Sequence, residues 1–142
     1  MNRFIWYQPN QHFGLFHHNL FLYFVMSSTT ADLSNPDFSG YLFKQSDWFR
    51  EWRQRWFVLK GNKLYFCKAP NVPPHGVIDL KDCVSVKSAD AITKKPNSFE
   101  VKTPDAIYYM YAEKEKTKDE WIGAISRAIV RYSPAYTNDE ED

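Results

Sequence analysis

Residues 40–59 read GYLFKQSDWFREWRQRWFVL, two strand-like segments joined by a short charged loop. Because side chains alternate between the two faces of a strand, Leu42 and Lys44 share one face of the first segment. The second segment places four residues on one face for the same reason: Arg53, Arg55, Phe57 and Leu59. In both segments this face changes from apolar to basic toward the loop 45–52. The pattern predicts a barrel with a filled core and a positively charged opening at residues 45–52, which we call the mouth.

Five further strand-like segments follow, separated by turn residues. Gly61-Asn62 makes a tight turn after the second segment, and Pro70, Pro73 and Pro74 force an irregular loop after the third. Short strands at this spacing are typical of an antiparallel sheet. The seven predicted strands span residues 40–45, 53–60, 63–68, 76–80, 83–87, 99–103 and 106–112.

Beyond residue 112 the apolar period changes from 2 to 3.6, which indicates a helix. Thr117 and Glu120 have the spacing of a capping box and predict the first turn, and Ser133-Pro134 predicts the end. Seven short strands and one amphipathic helix predict an all-β fold, a partly open antiparallel barrel that the helix caps with Trp121 as its plug. One helical stripe collects the apolar residues Trp121, Ile125, Ala128, Ile129 and Tyr132.

The composition predicts one folded domain, at residues 35–133, between two segments of different character. We expect residues 1–34 to be a disordered extension and linker, and residues 134–142 to be a disordered acidic tail. Residues 1–26 are apolar but are interrupted by His17, His18 and Asn19, so they fall short of the ~20 apolar residues of a membrane span. A secretion signal and an interfacial membrane anchor remain alternatives for this segment.

The formal net charge is +1, but the charges are unevenly distributed. Residues 40–63 hold six basic residues against two acidic ones, a surplus that favours an anionic partner. The chain has no glycine-rich phosphate loop, no HExxH and no GxSxG, so we expect no enzyme and no catalytic residue. Its two cysteines lack CxxC spacing, and three of its four histidines lie in residues 1–26, so we expect no metal and no cofactor.

The segment Gly-x-Leu-x-Lys, a short loop and then Trp-Arg-x-Arg-Trp-Phe-Val-Leu together resemble the opening of a pleckstrin homology (PH) domain. Trp121 matches the tryptophan in the C-terminal helix of that family. The resemblance covers residues 34–132, and the segments DCVSVK, KPNSFEV and EKEKTKDEWIGAISRAIV are especially similar to small plant-type proteins made of a single PH domain. It implies a seven-stranded barrel with a phosphoinositide pocket between its first two hairpin loops.

The basic signature of the family, Lys-x(n)-(Lys/Arg)-x-Arg, is met here by Lys44, Arg53 and Arg55. Arg50 and His75 complete the expected phosphoinositide-binding set, although a plain loop histidine is the alternative for His75. Strong binders of 3-phosphorylated lipids carry a tyrosine on the third strand, where this chain has Phe66. With His75 in place of a stronger base, this departure favours a singly phosphorylated lipid. The resemblance to the plant-type proteins suggests phosphatidylinositol 3-phosphate and endosomal membranes.

Trp48 and Phe49 are adjacent large aromatic residues in a charged hairpin loop. We expect them to insert into the bilayer interface beside the headgroup, the alternative being that one ring folds back on the barrel. The expected partners are a phosphoinositide headgroup and the cytosolic face of a membrane, together with a protein or a second copy, and no nucleic acid. The rival hypothesis is a protein-interaction module that binds an extended peptide along an edge strand with little or no lipid binding.

Overall fold

Seven antiparallel strands and a long C-terminal helix make up the part of the chain described by this computed structural model, residues 31–133. The predictions for residues 1–30 and 134–142 lie outside the described residues. The strands are β1 Phe38–Gln45, β2 Trp52–Lys60, β3 Lys63–Cys67, β4 Gly76–Asp79, β5 Ser85–Ser88, β6 Ser98–Lys102 and β7 Ile107–Tyr111. The helices are α1 Asp90–Thr93 and α2 Glu115–Arg131.

The strands form one sheet in the order β4-β3-β2-β1-β7-β6-β5. β1 is central because it pairs with β2 on one side and with β7 on the other. β4 and β5 are the two edges of this order, so the sheet curls without closing. The predicted architecture, seven antiparallel strands in a partly open barrel followed by a helix, is confirmed.

Trp121 fills one end of the barrel, where α2 covers the sheet. Its side chain is 1% exposed, and its ring meets Phe38 edge-on with the ring centroids 4.7 Å apart. The ring also lies against β1 at Gly40, where an added Cβ would be in ordinary van der Waals contact with the indole, 3.7 Å away. The helix therefore packs at the end of β1 that lies away from the mouth.

The predicted capping box at Thr117 is wrong. α2 begins at Glu115, and the residue before it, Lys114, has an extended backbone and no side-chain capping bond. Thr117 thus lies within the first turn, where Glu115 supplies the negative charge favoured at a helix N-terminus. β7 ends at Tyr111 and the Ala112 amide donates to the Asn97 carbonyl at 3.0 Å, so only residues 112–114 connect the strand to the helix.

The short helix α1 lies within a segment expected to be an irregular loop. Asp90 accepts a hydrogen bond from the Ser98 amide at 2.9 Å, and the hydroxyls of Thr93 and Ser98 lie 2.6 Å apart. Lys94 then adopts a positive φ of 59° and ends the turn. Side-chain bonds to the next strand therefore stabilise this turn, which is too short to show an apolar period.

Among residues 31–133, no helix combines the length and the apolar character needed to cross a bilayer.

Candidate functional site

The register of β1 and β2 brings the three signature bases to one side of the sheet. Lys44 lies opposite Arg53, and Leu42 lies opposite Arg55. Directly opposed residues of an antiparallel pair project to the same face. Leu42 is buried in the core, so this is the inner face of the barrel. All three bases therefore project from the inner face near the mouth.

Lys44 is the most enclosed of these bases, at 8% exposure. Its ammonium lies 5.1 Å from the centroid of the Phe66 ring and 5.7 Å from that of Tyr108, so two aromatic faces flank the charge. It donates to the Gln45 carbonyl at 3.1 Å and to the Asp47 carboxylate at 3.3 Å. These contacts fix the position of the Lys44 ammonium. The exposed carboxylate of Asp47 is its only acidic partner among the described residues.

The two arginines differ in their partners. Arg53 pairs with Glu51 at 2.9 Å, but both side chains are more than half exposed, so the pair is a weak one. Arg55 is half-buried and donates to the Gln54 carbonyl at 2.8 Å. Within residues 31–133 it has no carboxylate within ion-pair distance. Its guanidinium keeps donors for an anion that approaches the mouth.

His75 joins this cluster from the loop before β4. Its ring meets Phe66 edge-on at 5.1 Å. Although the ring is partly exposed, its partial burial lowers the pKa below the ordinary 6.5, and the positive charges of Arg55, Lys68 and Lys44 lower it further. Gly76 is required at the next position because any Cβ there would collide with the Phe66 ring.

Two residues of this region were missed by the sequence analysis. Lys68 follows Leu64 and Phe66 at period 2, so strand alternation could have placed it on the inner face. Tyr108 precedes Met110 on β7 and Ala112 just after it at the same period, and both of these residues are buried. Burial raises the pKa of the Tyr108 hydroxyl, and the carboxylates of Asp47 and Asp105 raise it further.

The loop between β1 and β2 carries its aromatic side chains outward. Trp48 is 91% exposed and Phe49 is 75% exposed, so neither ring folds back on the barrel. The Ser46 amide donates to the Glu51 carbonyl at 2.7 Å, and Arg50 turns the chain with a φ of 51°. Arg50 itself is exposed at this turn, and its carbonyl accepts a hydrogen bond from the side-chain amide Nε2 of Gln45 at 3.3 Å.

The mouth thus gathers basic groups around the Phe66 ring, beside an exposed aromatic loop. Guanidinium and ammonium groups at one opening can hold an anion with several oxygens, such as a phosphate ester. The described part of the chain has no group of three or more His, Cys, Asp or Glu placed to hold a metal ion.

Comparisons with known proteins agree with the fold. A family model described as PH domain matches residues 36–130. "Pleckstrin homology domain-containing protein 1" of Arabidopsis thaliana is 42% identical over 113 residues, which cover 75% of this chain and 78% of that protein.

Solved structures are similar as well. The C-terminal PH domain of human pleckstrin has a TM-score of 0.60 at 30% identity, covering 69% of this chain and 90% of that one. A crystal structure of the C-terminal PH domain of pleckstrin in complex with D-myo-Ins(1,2,3,5,6)P5 has a TM-score of 0.58 at 33% identity, covering 65% of this chain and 93% of that one.

Proposed function

The chain belongs to the PH domain family, and we propose that within this family it is a phosphoinositide-binding module that attaches reversibly to the cytosolic face of membranes. The observation that carries this proposal is the shared inner face of Lys44, Arg53 and Arg55 at the mouth. A similar domain, that of pleckstrin, has been crystallised with an inositol pentakisphosphate. Each charge-assisted hydrogen bond to phosphate contributes roughly 1.5–3 kcal/mol, so three such bases suffice for specific binding.

The neighbouring carboxylates do not block this role. Asp47 and Glu51 pair with Lys44 and Arg53, but their side chains are 73% and 58% exposed. Exposed ion pairs contribute only about 0–1 kcal/mol, whereas a phosphate dianion offers more charge and more acceptors. An arriving phosphate would displace both carboxylates into water at little cost.

We further propose a singly phosphorylated headgroup, in particular phosphatidylinositol 3-phosphate on endosomal membranes. Phe66 has no hydroxyl to donate to a phosphate. His75 is neutral near pH 7 because its pKa lies below its ordinary value. Phe66 and His75 thus add little to the contacts that the lysines and arginines of the mouth can make, which favours a headgroup that needs only one tight phosphate contact.

Trp48 and Phe49 supply the second part of the attachment. Their exposed rings stand on the loop that borders the bases, so a bound headgroup would bring them to the bilayer interface. Aromatic rings are favoured at that depth. One headgroup with shallow insertion gives modest affinity, so a second contact with a protein or another copy would strengthen attachment.

A liposome sedimentation panel of singly and multiply phosphorylated phosphoinositides tests the proposal. Arg55→Ala should lower the affinity for the preferred lipid at least about tenfold, because it removes a charge-assisted contact. Arg127→Ala is the matched control, since Arg127 is exposed on α2 at the other end of the barrel. Equal binding by the two variants would contradict the assignment of the site.

A protein-interaction module of the same architecture is the second candidate. It is favoured by the ion pairs of Lys44 and Arg53, which give two of the three bases partners within the chain. The unpaired outer sides of β4 and β5 could accept an extended peptide. Peptide binding of this kind would persist in Arg55→Ala and depend little on salt, whereas headgroup binding would not.

A further inference from the structure

A cavity of about 500 Å³ is lined by Tyr108, the residue whose ring lies beside the Lys44 ammonium. It is formed between β4 and the turn that joins β6 to β7. Its lining includes Thr103, Pro104, Tyr108 and three carboxylates, those of Asp79, Asp82 and Asp105. The pocket region therefore has a basic side on β1 and β2 and an acidic side at this cavity.

Tyr108 connects the two sides. Its ring centroid is 5.7 Å from the Lys44 ammonium, and the same residue lines the cavity. Asp105 is close enough for its charge to act on the Tyr108 hydroxyl. Tyr108 thus lies near both Lys44 and Asp105, so the charge of Asp105 would act on a ligand held at Lys44.

The three carboxylates that line the cavity differ in whether a basic side chain pairs with them. Asp79 pairs with Lys63 at 2.9 Å. Asp82 and Asp105 have no basic partner within 4.0 Å among residues 31–133. Of these two, Asp105 lies in the turn before β7, and the antiparallel pairing of Lys44 with Met110 directs the start of β7 toward the mouth. The negative charge of Asp105 is therefore the one that a ligand would meet.

We propose that Asp105 determines the headgroup specificity of the site by repelling a second phosphate. This inference rests on the proposed function. A phosphate monoester bound by Lys44 and the arginines presents the rest of the inositol ring to the acidic side. Ring hydroxyls are acceptable there because a carboxylate accepts their hydrogen bonds. A second phosphate would place like charges together in a cleft, where the potential is focused.

The test compares Asp105→Asn with the wild-type protein in titrations of short-chain phosphatidylinositol mono- and bisphosphates. These lipids are free in solution, so the surface charge of a vesicle does not contribute. The ratio of bisphosphate to monophosphate affinity should rise about three- to tenfold in the variant at low salt. The rise should shrink in ~0.5 M salt, where the Debye length is only a few ångströms.

Glu115→Gln is the matched control, because it removes one exposed carboxylate from the helix at the opposite end of the barrel. Its affinity ratio should equal that of the wild-type protein. The specificity role of Asp105 would be overturned if the affinity ratio of Asp105→Asn equalled the wild-type ratio, or if it changed no more than the ratio of Glu115→Gln. The proposed function would then remain intact. Absence of phosphoinositide binding by the wild-type protein would overturn the proposed function itself and this inference with it.

Thermal unfolding of Asp105→Asn verifies that the fold is retained. Asp105 is exposed in a turn and forms no ion pair among the described residues, so the transition should match that of the wild-type protein. Asp82→Asn, in the segment after β4 that lines the same cavity, should raise the ratio less than Asp105→Asn. A larger effect at Asp82 would remove Asp105 from the specificity role.

Discussion

Lys44 shows how a single buried charge can be tolerated at the rim of an apolar core. The ammonium loses most of its water, but two aromatic faces, a backbone carbonyl and Asp47 replace part of that solvation. These contacts hold the amine in place before a ligand arrives. A phosphate would then meet a positioned charge, which lowers the entropy cost of binding.

His75 is the residue that should make binding depend on pH. In the free protein its pKa is lowered by partial burial and by Arg55, Lys68 and Lys44. A bound phosphate would favour the imidazolium and raise that pKa. The complex would then hold a proton more tightly than the free protein, so affinity should rise as pH falls through the pKa of the complex. The rise should level off below the pKa of the free protein.

The measurement is the dissociation constant for a phosphoinositide between about pH 7.5 and pH 5.5, in the wild-type protein and in His75→Gln. Comparing the two cancels the titration of the phosphate itself. One unit of difference in pKa between the complex and the free protein corresponds to a gain of up to about tenfold in affinity. Parallel pH profiles for the two proteins would show that His75 is a plain loop histidine.

At the scale of elements, the loop between β1 and β2 is a rigid support for exposed aromatic rings. Hydrogen bonds between Ser46 and Glu51 close its base, in both directions across the hairpin. Gln45 adds a bond to the Arg50 carbonyl. A loop held in this way loses little conformational entropy when its tip enters a membrane.

Replacing Trp48 and Phe49 together by serine should separate membrane attachment from headgroup binding. Vesicle affinity should fall at least about tenfold, because two large aromatic rings no longer enter the interface. Affinity for a short-chain phosphoinositide in solution should change less than about twofold, since neither ring lines the basic side.

Ile92→Ser provides the control for loss of exposed apolar surface. Ile92 is 60% exposed on α1, next to the helix end of the barrel and away from the mouth. The Ile92→Ser variant should bind vesicles with the same affinity as the wild-type protein. A double loop variant that binds vesicles equally well would show that the aromatic tip stays in water.

At the scale of the whole molecule, the barrel has two different ends. One is closed by α2 and Trp121, and the other gathers the basic groups of the mouth, of which Lys44 is buried and Arg53 exposed. The apolar end stabilises the fold, while the ion pairs of the mouth involve exposed carboxylates and contribute little to stability. Function and stability can therefore be changed separately in this protein.

Trp121→Ala should cost about 3–5 kcal/mol in the free energy of unfolding, because it leaves a large cavity under the helix. Domains of this size are stable by only about 5–15 kcal/mol, so the loss should be visible as a lower urea midpoint. Trp48→Ala removes the same side chain from the exposed loop and should leave the midpoint unchanged. Equal midpoints for the two variants would contradict the packing role of Trp121.

Several features of this protein follow from local patterns in the sequence. Strand alternation by itself places Lys44 beside Leu42, and Arg53 and Arg55 beside Phe57, on inward faces. The change of period after residue 112 likewise predicts the capping helix and its buried Trp121. These features depend on residues a few positions apart, and the geometry of a strand or a helix repeats over that distance.

Other features were decided only when distant strands met. The pairing of β1 with β7 brings Tyr108 to Lys44, and the turn that follows β6 brings Asp105 beside them. The turn of α1 likewise depends on bonds to Ser98 of β6. The positions of these residues depend on how the sheet curls and on the register between its strands. The alternation of residues within one segment predicts neither the curl nor the register. The tertiary structure therefore determines which charges share the pocket, and sequence alternation determines only which way each one points.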